Sequence, residues 1–414
     1  MSFPSPFARG AAARRGLVLS GLVLTALVGC ETAEVVVDRY RDLTPHEAYL
    51  RGLYESGLAE TALARDWIAA ARAAAAAPVP VGLPFREEAL VTPEKPRAVA
   101  YRVEVGRGRR LVVEVSRSGA DPARVFVDVF RIPEDDENPL RPVASGDTLP
   151  ARLEYEPWRG GSFLVRVQPE LLRGGVYTVT LRLEAQLEFP VAGLDVSAIR
   201  SVFGAPREGG RRTHHGVDIF ALRGTPVLAA ARGVIRDVDI TRLGGKVVWL
   251  YDPARRASLY YAHLDSQAVT PGARVNPGDT VGFVGNTGNA RTTPPHLHFG
   301  LYRRGEGPVD PTPFIRRPRG RVALKPRGGD HLGAWVRVRE EGIRLRAGPS
   351  RRTAVLKELD PATPVRVLGG AGPWFRVALS DGLQGYVAAR LTEEAPAATG
   401  AAVSSASPDG LDSY

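Results

Sequence analysis

Hydrophobic residues follow two successive periods along this chain, first helical and then alternating, and each predicts a different architecture. Thr44-Pro45-His46-Glu47 places an N-cap, a proline at the first helical position and a glutamate at the third, the spacing of a capping box. Tyr49, Leu50, Leu53 and Tyr54 follow at helical spacing. A second helix is expected from Leu58 to Ala77, with Leu63 and Trp67 on one face and Pro78 and Pro80 stopping it. From about Arg97 to Glu184 the period changes to two. "YRVEV", "RLVVEVS", "RVFVDVF", "ARLEY", "SFLVRV" and "YTVTLRL" alternate apolar with polar, which predicts a β-sandwich. Residues 187–315 are again strand-rich, with many glycines. The expected fold is therefore mostly β and multidomain: a jelly-roll-like sandwich, a compact antiparallel domain and one further small β domain, after a short helical segment. The expected boundaries are 30–95 for a tether (31–42) and helices, 96–186 for the sandwich, 187–315 for the antiparallel domain, 316–330 for a basic linker, 331–392 for the last domain and 393–414 for a disordered tail.

Composition narrows the choice of partner. The 414 residues include 45 glycines and 34 prolines, which suits strands and turns better than helix bundles. Net charge is +10, carried almost entirely by arginine, since only Lys95, Lys246, Lys325 and Lys357 are lysines. No basic run is interleaved with aromatics as a nucleic-acid groove requires, so no nucleic acid is expected. The excess charge suits an anionic surface or polymer, and equally a solvated exterior.

The first 29 residues read as a targeting sequence. Arg9, Arg14 and Arg15 precede an apolar run from Gly16 to Val28 that is too short to span a bilayer comfortably. It ends in Leu27-Val28-Gly29-Cys30, and Cys30 is the only cysteine. The tetrapeptide resembles the lipobox of bacterial lipoproteins. That resemblance implies cleavage before Cys30, lipidation of its thiol and an extracytoplasmic protein anchored to a membrane, at the periplasmic face of the outer membrane if the cell is Gram-negative. A single thiol also leaves no disulfide to form.

Five of the seven histidines, His214, His215, His263, His296 and His298, fall between residues 214 and 298. In "PPHLHFGLY" (294–302), His296 and His298 share one face of an expected strand and Leu297 takes the other. The same parity in "THHGVD" puts His214, Gly216 and Asp218 together and leaves His215 as a flank. Gly216 would keep the space between His214 and Asp218 clear. Two imidazoles and a carboxylate suit Zn²⁺, and a catalytic zinc site keeps one position for water. Spare imidazoles near such a site can move protons near neutral pH. No HExxH helix is present, and "GFVGNTGNA" lacks the lysine and the strand–loop–helix context of a phosphate loop, so hairpin turns are expected there.

Five segments together resemble the lysostaphin-like (LytM-type) zinc metalloendopeptidases that cut peptidoglycan cross-bridges: "HHGVDI", "RGTPVLAAARGVI" (223–235), "LYYAHLD" (259–265), "VNPGDTVGFVGNTGNA" (275–290) and "PPHLHFGLY". The resemblance implies a mostly antiparallel fold with a groove over one Zn²⁺, held by His214, Asp218 and His298. His263 and His296 become the catalytic pair, with their individual roles open. It implies hydrolysis of peptidoglycan peptides. Some relatives have lost ligands and activate other hydrolases, so a silent scaffold that acts through other envelope proteins is the alternative. All five positions are kept here. The prolines in "TTPPHLHF" depart from the common pattern and bear on substrate preference.

Two further segments carry resemblances. "GGSFLVRVQPELLRGGVYTVTL" resembles small jelly-roll domains beside secreted peptidases. "GIRLRAGPSRRTAVLKELDPATPVRVLGGAGPWFRVALSDGLQGYVAARL" resembles a bacterial SH3 domain, which implies a small barrel that binds wall peptides or positions an enzyme. Trp374 and Tyr386 could be core or could line its cleft, with the core favoured for Trp374. His46 is expected to be structural and His331 exposed or packing.

Overall fold

The helical segment begins where the capping box places it. In the computed structural model, which describes residues 43–119, 123–134, 140–318, 320 and 329–395, Thr44 Oγ1 accepts from the Glu47 amide at 3.2 Å. Glu47 Oε2 in turn accepts from the Thr44 amide at 2.8 Å. The helix runs Pro45–Glu55. The second helix differs from expectation: Leu58–Glu60 is a 3₁₀ turn and the α-helix is Ala62–Ala76, capped by Thr61. A threonine oxygen that can take up a free helical amide outcompetes continued helix. The targeting sequence, Cys30, the tether, residues 321–328 of the linker and nearly all of the tail lie outside the described residues. Among the described residues no helix is long and apolar enough to cross a membrane.

Both helices pack on the outside of a sandwich. One sheet has the order Val79–Pro80, Val99–Val105, Gly161–Pro169, Val125–Arg131, Arg141–Gly146. Facing it are Phe85–Val91, Gly175–Ala185, Arg109–Arg117 and Ala151–Tyr155. The inner layer is built from residues such as Tyr101, Val103, Leu111, Val127, Phe163 and Leu181. Val125–Arg131 is buried on both faces because Phe126 turns outward and meets Leu53, Trp67 and Ile68 of the helices. His46 is part of that contact. Its ring stacks on Trp67 at 4.8 Å and its Nε2 lies 2.7 Å from Gln168 Oε1. Burial, helped by the charge of Arg166, pushes this imidazole down to about 4, so it sits neutral in the packing.

The sandwich takes in residues 79–91, which the sequence pattern assigns to the helical segment. The reason is Glu87. Phe85, Ala89 and Val91 alternate inward, but the fourth inward position of that strand is a glutamate with no exposure, and a charge in that place hides the period. Its counter-charge and one of its two tyrosine partners come from the C-terminal domain. Arg376 donates to both Glu87 oxygens at 2.8 Å, Tyr386 donates at 2.9 Å, and Tyr101 of the sandwich donates at 2.6 Å. Burial, with the nearby carboxylate adding to it, pushes both tyrosine hydroxyls well above their ordinary value, so they remain donors.

Around this cluster the strand Pro364–Ala371 pairs antiparallel with Phe85–Val91, Glu88 opposite Gly370 and Ala89 opposite Gly369. The C-terminal strands thus join one eleven-stranded sheet with half of the sandwich, where a separate small barrel was expected. Tyr386 lies in this junction and Trp374 packs against the sandwich core. The domain keeps its own core of Val336, Leu345, Val365, Phe375 and Val387. His331 rests its ring 5.5 Å from Phe375.

The histidine-bearing domain is a ten-stranded, antiparallel sheet whose central order is Ile199–Ser201, Val217–Phe220, His296–Arg303, Ala257–Gln267, Gly245–Asp252, Gly233–Thr241. One face is closed by Ile219, Val248, Leu259, Tyr261, Leu297 and Phe299, all with essentially no exposure. The domain is fastened to the sandwich by polar contacts. Arg255 grips Glu156 through two bonds of 2.7 Å, and Arg303 lies over the Trp158 ring at 3.4 Å while donating to its carbonyl.

Removing one partner of a buried ion pair leaves the other charge stranded, at about 3–5 kcal/mol. Arg376→Met should therefore lower the urea midpoint markedly, read by tryptophan fluorescence. Glu87→Gln in the same chain should recover much of the loss, because it removes the stranded charge while the amide oxygen still accepts from one tyrosine and the amide NH2 donates to the other hydroxyl. An unchanged midpoint in the single variant would show that the junction does not depend on this pair.

Candidate metal centre and catalytic groove

The open face of the central strands carries the histidines. Asp218 and His298 are directly opposite each other across two paired strands, as are Phe220 and His296. Leu297 points into the core. The expected parity of the HxH strand is therefore what the structure has. The HxGxD segment arrives differently. An extended chain would carry residues four apart about 13 Å from each other. His214 and Gly216 instead precede the strand, and the chain bends there, so His214 Nε2 reaches Asp218 Oδ1 at 3.1 Å. Gly216 permits the approach in a specific way: a β-carbon there would sit 2.5 Å from the Phe299 carbonyl oxygen and 2.8 Å from His298 Cε1. The cleared space belongs to the His298 ring. His215 stays exposed at the rim.

Three donor atoms converge. His298 Nδ1 is 3.0 Å from Asp218 Oδ1 and 3.0 Å from His214 Nε2. His214 Nδ1 is 2.8 Å from the Val202 carbonyl, which can only accept, so this nitrogen carries the proton and Nε2 is left bare. A bare nitrogen 3.1 Å from a carboxylate oxygen needs a proton or a metal cation between them. Among the described residues these three side chains form the group able to hold a metal. Zinc bonds of about 2.0–2.1 Å in a tetrahedral arrangement would put neighbouring donors roughly 3.3 Å apart, close to the spacing found. The donor set therefore fits a divalent metal with an open position.

The surroundings bias the protonation of Asp218 and His298. Burial alone would raise the Asp218 carboxyl, but the contacts with His214 and His298 outweigh it and keep the group well below the usual carboxylate range. Its second oxygen accepts from Arg207 at 2.6 Å. Burial lowers His298, against the opposing pull of Asp218. An ionised carboxylate and neutral imidazoles are the forms a metal binds.

The remaining two imidazoles stand beside this cluster. His263 and His296 are 5.1 Å apart between ring centres, and His263 and His298 are 5.9 Å apart. His263 Nδ1 faces the Thr287 carbonyl at 2.9 Å and His296 Nδ1 faces that of Pro294 at 2.9 Å. By the same reasoning each holds its proton on Nδ1 and leaves Nε2 bare. Burial first, then the neighbouring His298 and His296, push His263 down to about 4.

His263 reaches this face through a break in strand alternation. Tyr261 lies in the core, so two residues on His263 should follow it inward. Instead His263 has φ of 62°, the register slips on both sides of it, and Leu264 takes the inward place. A non-glycine residue in the left-handed region is held there at a cost by its surroundings, a pattern common at functional sites. The glycine-rich segment supplies that support. Its first three residues end the strand Thr280–Val284, and the rest is a loop with a 3₁₀ turn at Gly288–Ala290, where hairpin turns were expected. Its Gly288 backs so closely on Gly245 that a β-carbon would lie 2.3 Å from the Gly245 nitrogen, and this fixes the Thr287 carbonyl against His263.

Residues 212–311 match the model of peptidase family M23, and residues 339–394 match that of a bacterial SH3 domain. The chain carries an M23 peptidase domain. It is similar to the L-Ala–D-Glu endopeptidase of Bacillus subtilis strain 168, 37% identical over 139 residues, which cover 31% of this chain and 42% of that one. It is similar to the peptidoglycan DD-endopeptidase ShyC of Vibrio cholerae, 37% identical over 97 residues, 23% of this chain and 21% of that one. It is also similar to the glycyl-glycine endopeptidase ALE-1 of Staphylococcus capitis, 36% identical over 107 residues, 25% of this chain and 29% of that one. The chain thus spans less than half the length of each of these relatives. Their names specify three different bonds, so the presence of an M23 domain leaves the bond open.

The groove of the M23 domain has a volume of about 490 Å³ and is lined solely by residues between 200 and 302. No described residue of the helical segment, the sandwich or the SH3 domain lines it. Sequence patterns missed Arg207, the Val202 and Thr287 carbonyls and Tyr260, whose ring meets His298 edge-on at 5.8 Å. Backbone carbonyls leave no trace in a sequence. Arg207 had one weak signal, the basic cluster just upstream of "THHG".

Outer contacts of this kind alter metal affinity by about 10–100-fold when disturbed. Gly216→Ala, which drives a methyl group into His298, should weaken divalent-metal binding at least about tenfold in a chelator competition, with the far-ultraviolet circular dichroism retained. Undiminished affinity would mean that His298 is not held where these contacts place it.

Proposed function

We propose that this chain is a zinc-dependent endopeptidase that hydrolyses peptide bonds in peptidoglycan stems or cross-links. The observation that carries the reading is the groove floor itself: three converging ligand atoms with two further imidazoles beside them, each presenting a bare Nε2. A structural zinc site would be closed by four ligands and would have no use for the extra pair. The substrate comes from the relatives, one of which is named for peptidoglycan.

In this reading His214 Nε2, Asp218 Oδ1 and His298 Nδ1 hold the ion. Bound zinc supplies a polarised carbonyl and a water of lowered pKa. The protein's own residues do the rest. Arg207 and the Val202 carbonyl keep Asp218 and His214 oriented. The Thr287 and Pro294 carbonyls fix the tautomers of His263 and His296, so a proton leaving the attacking water has a base at Nε2. The imidazole that takes this proton becomes a donor. It can steady the charge on the tetrahedral oxygen and then return the proton to the departing amine.

The chain's location is part of the same proposal. Leu27-Val28-Gly29-Cys30 supports a lipid anchor at Cys30 outside the cytoplasm, and an anchored peptidase would meet the wall from the membrane side.

Purified peptidoglycan digested with the wild-type protein and with His263→Ala, His296→Ala and His298→Ala tests the assignment. The wild type should release new peptides, identified by mass spectrometry. His263→Ala and His296→Ala should retain zinc and lose about 10²–10⁴ in rate. His298→Ala should lose both zinc and activity. A product pattern shared by the wild type and His298→Ala would overturn the enzyme reading in favour of a scaffold.

A further inference from the structure

The two walls of the groove differ in charge. On one side, the edge strand Ile199–Ser201 and the ribbon pairing Pro206–Arg207 with Arg212–Thr213 bring Arg200, Arg207 and Arg212 to the lining. Between residues 200 and 213 the sequence holds Arg200, Arg207, Arg211 and Arg212 against the single acid Glu208. The opposite wall, around Leu243, Gly244, Asn289, Ala290 and Thr293, is uncharged.

Asp218 is the only acid among the described residues that line the groove, and it is fully engaged. One oxygen faces the two imidazoles and the other accepts from Arg207. Arg207 is thereby committed to the metal ligand. Arg200 is placed for something else. It is exposed, and its guanidinium lies over the Phe220 ring at 5.5 Å. Phe220 in turn stacks on His296 at 5.0 Å. The guanidinium thus lies over a ring that itself stacks on His296, and Arg200 is among the residues that line the groove. Its donors remain in the guanidinium plane, where a carboxylate can be taken by two parallel bonds.

We infer that this wall, with Arg200 as its principal contact, binds a free carboxylate of the substrate on one side of the scissile bond. The inference rests on the peptidase reading above and adds the substrate class: acidic stem peptides are cut in preference to uncharged glycine bridges. Arg200 is a specificity residue in this account.

Three synthetic peptides decide it: a stem peptide with its carboxylates free, the same peptide amidated, and a pentaglycine bridge. The wild-type protein loaded with zinc should cut the acidic peptide at least about tenfold more efficiently than the amidated one, with the difference in KM. Arg200→Gln should narrow that gap about tenfold through KM, and Arg200→Lys should recover part of it. Equal cleavage of acidic and amidated peptides, a preference for pentaglycine, or a gap unchanged in Arg200→Gln would overturn the inference while leaving the peptidase reading intact. Failure to cut any of the three, or intact peptidoglycan, would overturn both.

Discussion

Everything the groove can do depends on three donor atoms held about 3 Å apart by strands that are distant in sequence. The pairing of Val217–Phe220 with His296–Arg303 sets Asp218 opposite His298, and the bend at Gly216 swings His214 over them. That arrangement places an anionic oxygen against bare imidazole nitrogen. It is stable with a cation between the atoms and unfavourable without one. The cost of bringing these groups together is met by the packed reverse side of the same sheet, where Ile219, Leu297 and Phe299 exclude water completely. Alternation places two of the three ligands: with Ile219 and Leu297 inward, Asp218 and His298 face the open side.

Much of this was legible in the sequence, and the exceptions have physical causes. Parity located His296 and His298 on one face and Leu297 behind them. Parity also selected His214 over His215, but through an extended geometry that the chain does not adopt. His263 could not have been placed by alternation at all, since its inclusion requires a left-handed residue and a slip in register. The loop that compels this slip is glycine-rich for reasons of close approach. Its glycines were visible, yet their purpose was not. In the sandwich the strand Phe85–Val91 was missed because its period is broken by Glu87, whose counter-charge, Arg376, is nearly three hundred residues away. An inward charge is intelligible only when its counter-charge is known.

That distant pairing also changes how the domains relate. A bacterial SH3 domain attached through a basic linker suggests a freely swinging module. Here its strand completes a sheet with the sandwich, and Arg376 and Tyr386 are spent on a buried carboxylate. The sandwich in turn holds the M23 domain through Glu156 and Trp158. The groove is left clear of all of them. Helices, sandwich and SH3 domain thus form a support for the peptidase, and the chemistry stays confined to one open sheet face. That face combines a neutral wall, a cationic wall and a floor of imidazoles.

The most direct measurement is X-ray absorption at the zinc edge on the full-length metal-loaded protein. The account predicts one ion per chain with two imidazole nitrogens and oxygen donors at about 2.0–2.1 Å, one oxygen from Asp218 and at least one from exchangeable water. A shell of three or four imidazoles, or zinc bound with no loss of affinity in Asp218→Ala, would contradict it.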